Sequence, residues 1–207
     1  MIITDIIKDK KHLLKVCFDD ESYILIDTDT VSEKGIKKGD FIDEDELKSL
    51  KADSDYKRAK SRALWYLDRM DYTEKALFEK LTKAGFGKKV SAEVLAKFCE
   101  LGLVDDRRYA ERFAERCKDS NISKREAVHK MVLKGIPLDL AKQVTEELET
   151  DEESQILTLI ERKYQRKLTE ENGFQKVFAA LARKGFDFGS IKSALKKYND
   201  ELEFSED

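Results

Sequence analysis

The sequence predicts a mainly α-helical protein with three tandem three-helix repeats in an elongated curved array, preceded by a small β-rich N-terminal extension. Three observations carry this prediction. Glycines recur 50 residues apart, at Gly85, Gly135 and Gly185. One proline and nine glycines among 207 residues favour long helical stretches. Short apolar or alternating runs, which are typical of strands, occur at the start of the chain.

The N-terminal 56 residues contain the pattern of a small antiparallel sheet. Three runs predict its strands: Ile2–Ile7, Leu13–Phe18 and Tyr23–Ile26. The polar stretch 19–22 predicts a hairpin turn between the last two. A brief helix is expected near Val31–Lys34, and Phe41 with Ile42 could form a further short strand. From Asp43, an N-cap candidate, the pattern becomes helical.

The remainder of the chain repeats with the period of the glycines. Apolar residues recur at fixed distances from each glycine: Leu77, Ala127 and Val177 eight residues before it, Leu81, Met131 and Leu181 four before it, and Phe86, Ile136 and Phe186 one after it. Several columns in register favour a true repeat over chance. The predicted divisions are 1–56 for the extension and the start of a linking helix, then 57–106, 107–152 and 153–207 for the three repeats.

Each repeat is expected to contain three helices, and their ends are marked by capping residues. Thr73 and Ser123 are N-cap candidates, the latter within a capping box that ends at Glu126, and Pro137 suits a helix start. Each repeated glycine is expected to end a helix in the left-handed conformation. The predicted core faces include Ala59, Ala63, Leu67 and Met70; Val90, Val94, Phe98 and Leu101; Tyr109, Phe113 and Cys117; Phe174, Phe178 and Leu181. Trp65 is also assigned to the core or to packing between repeats.

Charge is distributed unevenly along the chain. Residues 1–56 hold 9 basic and 15 acidic residues, a net charge of −6; residues 57–145 hold 21 and 13, or +8; residues 146–207 hold 10 and 15, or −5. The basic middle segment suits a polyanion or an acidic protein surface. The acidic ends argue against a simple coat for nucleic acid. No apolar run is long enough to span a membrane.

The sequence gives little support for catalysis. His12 and His129 are the only histidines, and a structural role is the simpler interpretation of both. There is no glycine-rich phosphate loop or metal-ligand cluster, so we expect no enzymatic activity and no cofactor. Three cysteines without metal-binding spacing are typical of reduced thiols in a cytoplasmic protein.

Arginines recur in the register of the repeat and are the candidate binding residues. Arg62, Arg112 and Arg162 lie 23 residues before each glycine, and Arg116 and Arg166 share a second register. Arg108, Arg112 and Arg116 are spaced by four residues and should form one stripe on a helix. Guanidinium groups bind phosphates or carboxylates in bidentate fashion. A structural alternative stays open, because arginines such as Arg107 can pair with carboxylates such as Glu111 within one helix.

Several segments resemble the RecX family. The stretch 63–67 followed by 81–86 is similar to its opening repeat, 101–110 (LGLVDDRRYA) to the junction between its repeats, and 181–186 (LARKGF) to its third repeat. The resemblance covers about residues 57–200. It implies a helical regulator, mostly an inhibitor, that binds filaments of the RecA recombinase on DNA and limits filament growth, ATP hydrolysis and strand exchange. It also implies a role in homologous recombination, DNA repair and the SOS response.

Two other functions compete with filament binding. The second and third helices of each repeat could form a helix-turn-helix, which would make the chain an independent DNA-binding protein. However, the candidate third helices lack the cluster of Arg, Asn or Gln side chains that reads bases. A scaffold that does not bind DNA is the third possibility. The preferred hypothesis is a monomeric cytoplasmic protein that binds the RecA filament and meets DNA within it.

Overall fold

The computed structural model describes residues 1–10 and 12–205, with side chains described as far as residue 200. The chain forms two compact units, Met1–Val104 and Asp105–Asp207. The first unit contains β1 (Ile3–Lys10), β2 (Leu13–Phe18), β3 (Tyr23–Asp27), α1 (Thr28–Glu33), α2 (Glu44–Leu67), α3 (Glu74–Lys83) and α4 (Lys88–Glu100). The mainly α fold with a small N-terminal sheet is therefore confirmed.

The sheet is antiparallel with strand order β1-β2-β3. The predicted turn at 19–22 connects β2 and β3, and Glu21 at its centre has a positive φ of 65°. Alternation places Val16 and Phe18 in a core that also includes Ile3. β1 continues to Lys10, three residues beyond the predicted end. Residue 41 forms only an isolated bridge to Ile2, so the expected strand at 41–42 is reduced to one pair.

Helix α2 begins where the sequence predicts and is shared between two cores. Asp43 forms a full capping box with Glu46, which satisfies backbone N–H groups at the helix start. Leu50, near the N-terminal end of α2, packs in the core of the sheet. Ala59 and Ala63, farther along, pack in the core of the first repeat. The extension and the first repeat are thus built on one 24-residue helix.

The helices of the first repeat are capped where the sequence predicts, but the buried faces of α2 and α4 end earlier than predicted. The Thr73 hydroxyl accepts a hydrogen bond from the N–H of Ala76, and Gly85 has a φ of 94°. Met70 and Leu101, both predicted to be core, are 56% and 57% exposed. Met70 lies beyond the end of α2, and Leu101 is the C-cap of α4, so the chain turns away before either side chain can pack.

The second unit holds the other two repeats. The second repeat consists of α5 (Asp106–Asp119), α6 (Lys124–Leu133) and α7 (Leu138–Glu147). Its core contains Ala110, Ala114, Cys117 and Met131, as the repeat pattern predicts for the last two. Burial raises the pKa of the Cys117 thiol, which keeps this side chain neutral in the core.

The ends of the second-repeat helices fall close to the predicted positions. Gly135 has a φ of 97°, and Pro137 is the residue before α7. Ser123 accepts from the N–H of Glu126, which is one half of the predicted capping box, but the Glu126 carboxylate pairs with Lys130 Nζ at 2.9 Å instead of completing the box. Both signals therefore mark helix ends, as the sequence indicates.

In the third repeat, the first helix is interrupted. This repeat consists of α8 (Glu152–Leu159), a π-helix (Ile160–Tyr164), α9 (Gln165–Leu168), α10 (Gly173–Arg183) and α11 (Phe188–Ser205). Its core includes Ile156, Ile160, Leu181 and Ile191. Phe174, predicted to be core, is 40% exposed because it stands at the start of α10, where the buried face begins at Val177.

Two hydrogen bonds and one close contact hold the second and third repeats together. The Ser123 hydroxyl, which is buried, donates to the carbonyl oxygen of Lys184 at 2.6 Å. Gln155 Nε2 donates to the carbonyl oxygen of Lys118 at 3.1 Å. Gly185 has a φ of 88°, and a Cβ added there would lie 3.0 Å from the side chains of Ser123 and Arg125. The end of α10 therefore sits directly against the start of α6.

Candidate functional site

Helix α5 presents the predicted arginine stripe. Arg108, Arg112 and Arg116 are all exposed, and their spacing of four residues places them on one face over about 12 Å. The opposite face is buried through Ala110, Ala114 and Cys117. Asp105 fixes the start of the helix, since its carboxylate accepts the N–H of Arg108 at 2.9 Å. The amphipathic pattern of α5 therefore sets the direction of the stripe.

Arg107, which directly precedes the stripe, has a structural role. Its guanidinium lies 2.9 Å from the carboxylate of Glu111 and 2.7 Å from that of Glu147. The first of these pairs is the one expected from the sequence, and the second connects α5 to α7. Arg107 is therefore held by two carboxylates and helps to join α5 to α7.

An aromatic pair lies beside the C-terminal end of the stripe. The rings of Tyr109 and Phe113 stack with centroids 6.3 Å apart. The Arg116 guanidinium carbon is 5.7 Å from the centre of the Phe113 ring, and Lys134 Nζ is 5.6 Å from the same centre. Two cations thus lie close to one ring, within the range of a cation–π interaction. This arrangement concentrates positive charge at the α5 end of the second repeat.

The structure does not give the third repeat an equivalent stripe. Arg162 lies in the π-helix and Arg166 in α9, and both are exposed. A π-helix has i→i+5 hydrogen bonds and more residues per turn than an α-helix. The third repeat also has Thr158 at the position that Arg108 holds in the second, so this register carries two arginines instead of three. The sequence predicts the register of these arginines, but the π-helix changes the angle between them.

In the first unit, Arg62 lies on α2 beside Trp65. The Arg62 guanidinium carbon is 5.6 Å from the centre of the indole ring. The assignment of Trp65 to the core is wrong, because its side chain is 46% exposed. The buried face of α2 passes through Ala63, and a residue two positions later lies about 200° around the helix. The two-residue spacing from Ala63 was therefore the signal in the sequence that Trp65 faces solvent.

Among the residues whose side chains the structure describes, the groups suited to catalysis do not converge. His12 lies in the turn after β1 and His129 on α6, and both are exposed. Within residues 1–10 and 12–205, no group of three or more His, Cys, Asp or Glu side chains could hold a metal ion. No helix among the described residues is long and apolar enough to cross a membrane. The exposed cationic surfaces are thus the candidate functional features.

Comparisons with known proteins identify the family. The models for the first and third three-helix domains of RecX match residues 59–98 and 151–195. The regulatory protein RecX of Clostridioides difficile is 31% identical over 202 residues, which cover 95% of each chain. This chain belongs to the RecX family. The regulatory protein RecX of Caldanaerobacter subterraneus subsp. tengcongensis is 29% identical over 94% of this chain and 98% of its own.

Solved RecX structures have the same fold. The crystal structure of a regulatory protein RecX has a TM-score of 0.72 at 19% identity, over 94% of this chain and 98% of the other. RecX from Lactobacillus salivarius has a TM-score of 0.64 at 23% identity, over 70% of this chain and 97% of its own. The domain model for the first RecX repeat starts at residue 59, inside α2, so the extension precedes the family's first three-helix domain.

Proposed function

We propose that this RecX-family protein regulates the RecA recombinase by binding RecA–DNA filaments, where it limits filament growth, ATP hydrolysis and strand exchange. The observation that carries the proposal is the exposed stripe of Arg108, Arg112 and Arg116 on α5, in a chain that belongs to a family of regulatory proteins. Arg62, Arg162 and Arg166 contribute further exposed cations. We propose the same division of the chain into an extension and three repeats, at residues 56, 106 and 152.

The α5 stripe suits a linear acidic target. Three guanidinium groups along about 12 Å of helix can each bind one phosphate or carboxylate in bidentate fashion. Surface charge pairs are individually weak, so useful affinity requires several at once. A filament offers rows of DNA phosphates and repeated protein carboxylates. A regulator held on such a row obstructs the addition of further subunits, and this obstruction limits filament growth.

The regulator needs no chemistry of its own. We propose that it acts as a cytoplasmic monomer without nucleotide hydrolysis and that it reduces hydrolysis by RecA on single-stranded DNA. The support is the family's description as regulatory proteins. Steady ATP turnover that stays with the protein through further purification would contradict this part of the proposal.

The deciding experiment compares three partners: RecA alone, DNA alone and the assembled filament. Preferential binding to the filament supports the proposal. Equal affinity for naked DNA would support the alternative, an independent DNA-binding protein. Binding should also weaken as salt rises, with a steep slope if several phosphates are contacted.

Variants on α5 test the surface itself. The double substitution Arg112→Ala with Arg116→Ala should weaken filament binding while circular dichroism stays unchanged. The matched control is Lys142→Ala with Lys192→Ala, which removes the same charge from exposed positions on α7 and α11. Equal affinity of the two variants would show that α5 is not the binding surface.

A further inference from the structure

One face of α2 and the turn that follows carries a row of cations around an exposed aromatic ring. Arg58, Arg62, Trp65 and Arg69 are spaced by four, three and four residues, which places them within about 60° of one another on a helix. Trp65 is the only tryptophan of the chain and is nearly half exposed. Tryptophan is highly buried on average and is enriched at binding hot spots, so an exposed tryptophan among arginines points to a binding role.

Neighbouring arginines hold the indole ring in place. The Arg69 guanidinium carbon lies 3.6 Å from the centre of the ring, and its Nη1 donates to the carbonyl oxygen of Trp65 at 2.8 Å. Arg62 approaches the same ring at 5.6 Å. Trp65 therefore presents an aromatic surface that is held in place, with Arg62 one turn before it and Arg69 one turn after it.

A cleft of about 580 Å³ lies along this face, next to the sheet extension. Trp65 and Phe86 contribute its aromatic walls, and Arg58 and Arg62 contribute cations. Arg58 is paired with Asp55 at 3.2 Å, and Asp29 also lines the cleft. Arg62 and Arg69 are exposed beside Trp65 and are therefore the cations best placed to meet an anion on this face. The volume is within the range of small-ligand sites.

The groove on the other side of Trp65 has a different character. It is lined by Leu64, Leu67 and Leu103 together with the carboxylates of Asp68 and Asp71. Among the described residues that line this groove there is no lysine or arginine, so Asp68 and Asp71 would repel a phosphate backbone. The cleft on the arginine side also contains Asp27 and Asp29, but its basic residues, Lys57, Arg58 and Arg62, outnumber them. A polyanion that contacts Trp65 is therefore directed to the face with Arg62 and Arg69.

We propose that this face of α2 binds single-stranded DNA, with one unstacked base against Trp65 and the adjacent phosphates at Arg62 and Arg69. Positively charged grooves with aromatic side chains are the usual means of binding single strands, because every base has a π-face that can stack. Bases within a duplex are already stacked on one another and cannot use the ring. An acidic peptide would satisfy the arginines but has no use for the indole surface.

The single tryptophan makes the proposal directly measurable. We expect an oligo-dT strand to quench the intrinsic fluorescence of the full-length protein in a saturable manner. An abasic strand of equal length should bind more weakly and without quenching, and duplex DNA should not quench. Quenching by polyglutamate equal to that by oligo-dT would overturn the proposal in favour of an acidic protein partner.

Substitutions separate stacking from charge. Trp65→Ala should weaken binding of a labelled oligonucleotide about five- to 150-fold, as expected for the loss of one stacked base. Trp65→Phe should retain much of the affinity, and Arg62→Ala with Arg69→Ala should reduce both affinity and its dependence on salt.

The chain offers a matched control on the sheet of the same unit. Tyr23 is 56% exposed, and Lys15 Nζ lies 4.1 Å from its ring, so Tyr23→Ala also removes an exposed aromatic ring beside a cation. The Tyr23→Ala variant should bind like the wild type. A folded Trp65→Ala variant with wild-type affinity would refute the α2 site. Because no RecA is present in this assay, that result would leave the proposed filament binding untouched.

Discussion

The first helices of the second and third repeats share two arginine positions but differ in geometry. Arg112 and Arg162 occupy one register, and Arg116 and Arg166 a second, each pair 50 residues apart. In the second repeat, all of these positions lie on the continuous helix α5. In the third repeat, a π-helix at Ile160–Tyr164 separates α8 from α9. A repeat in sequence therefore sets which residues correspond, but not the angles at which their side chains leave the helix.

The following turns differ in the same way. In the second repeat, the residue 12 positions before the glycine is Ser123, which caps α6. In the third, it is Gly173, preceded by Asn172 in the left-handed conformation with a φ of 58°. The second repeat uses a side chain to begin its middle helix, whereas the third uses close backbone packing. The two repeats therefore begin corresponding helices by different means.

The largest effect on this comparison should come from Gly173→Ala. A Cβ at this position would lie 2.2 Å from the carbonyl oxygen of Lys167 and 2.7 Å from that of Leu168, so α9 or α10 must move. We expect a loss of about 3 kcal/mol in the free energy of unfolding, measured by urea denaturation. Unchanged stability would mean that α9 and α10 separate readily and that the third repeat has no tight turn.

Valine at the repeated glycines tests whether the two repeats end their middle helices alike. Gly135→Val should cost about 1–3 kcal/mol, because a β-branched residue is strained at a φ of 97°. Gly185→Val should cost more, since the added carbons also meet Ser123 and Arg125. Thermal unfolding of both variants gives the order. A Gly135→Val protein as stable as the wild type would remove the assignment of this glycine as a helix stop.

Ser123→Ala should give a smaller loss, about 1–2 kcal/mol, because it removes the cap of α6 and leaves the carbonyl oxygen of Lys184 without this donor. Ser154→Ala, at an exposed position in α8, serves as the control. Urea denaturation of both variants, followed by circular dichroism, measures the difference. Equal stability of the two would show that Ser123 does not hold the repeats together.

The arginine variants should change stability least and binding most. Each exposed substitution should alter the free energy of unfolding by less than about 0.5 kcal/mol. The variant Arg112→Ala with Arg116→Ala should weaken filament binding more than Arg162→Ala with Arg166→Ala, because only the first pair belongs to a stripe of three arginines, completed by Arg108. The quadruple variant should bind little more weakly than the α5 pair. Filament affinity at two salt concentrations measures all three, and equal effects of the two pairs would contradict the importance of the α5 stripe.

Local signals in the sequence account for much of the fold. The polar turn at 19–22 sets the end of β2 and the start of β3. Asp43 marks the start of α2, and the repeated glycines end the middle helix of each repeat. These predictions succeed because turns and caps depend on residues adjacent in sequence. Periodicity was misleading at Met70 and Leu101, since an apolar spacing can continue after the helix itself has ended.

The candidate surfaces were only partly predictable. The stripe on α5 follows from spacing and an uninterrupted helix, and the structure brings Lys134 and Phe113 to it from tertiary contacts. The π-helix at Ile160–Tyr164 was not predicted, because the apolar spacing that predicts a helix does not distinguish the two hydrogen-bonding patterns. The contact between Arg69 and the Trp65 ring, and the cleft that Arg58 shares with Trp65, depend on the ring being exposed, whereas the ring was predicted to be buried.

Helix α2 has a consequence for how the N-terminal part of the molecule unfolds. The backbone N–H of Asp27 donates to the hydroxyl of Ser54, which is buried in α2, and the Asp27 carboxylate caps α1. The sheet is thereby joined to the same helix whose later turns hold Ala59 and Ala63. A protease has no flexible linker to cut between extension and first repeat, and the two should melt cooperatively, as a single transition. A fragment that starts within α2 would lose the N-terminal turns of that helix and their contacts with the sheet. The extension therefore stabilises the first repeat.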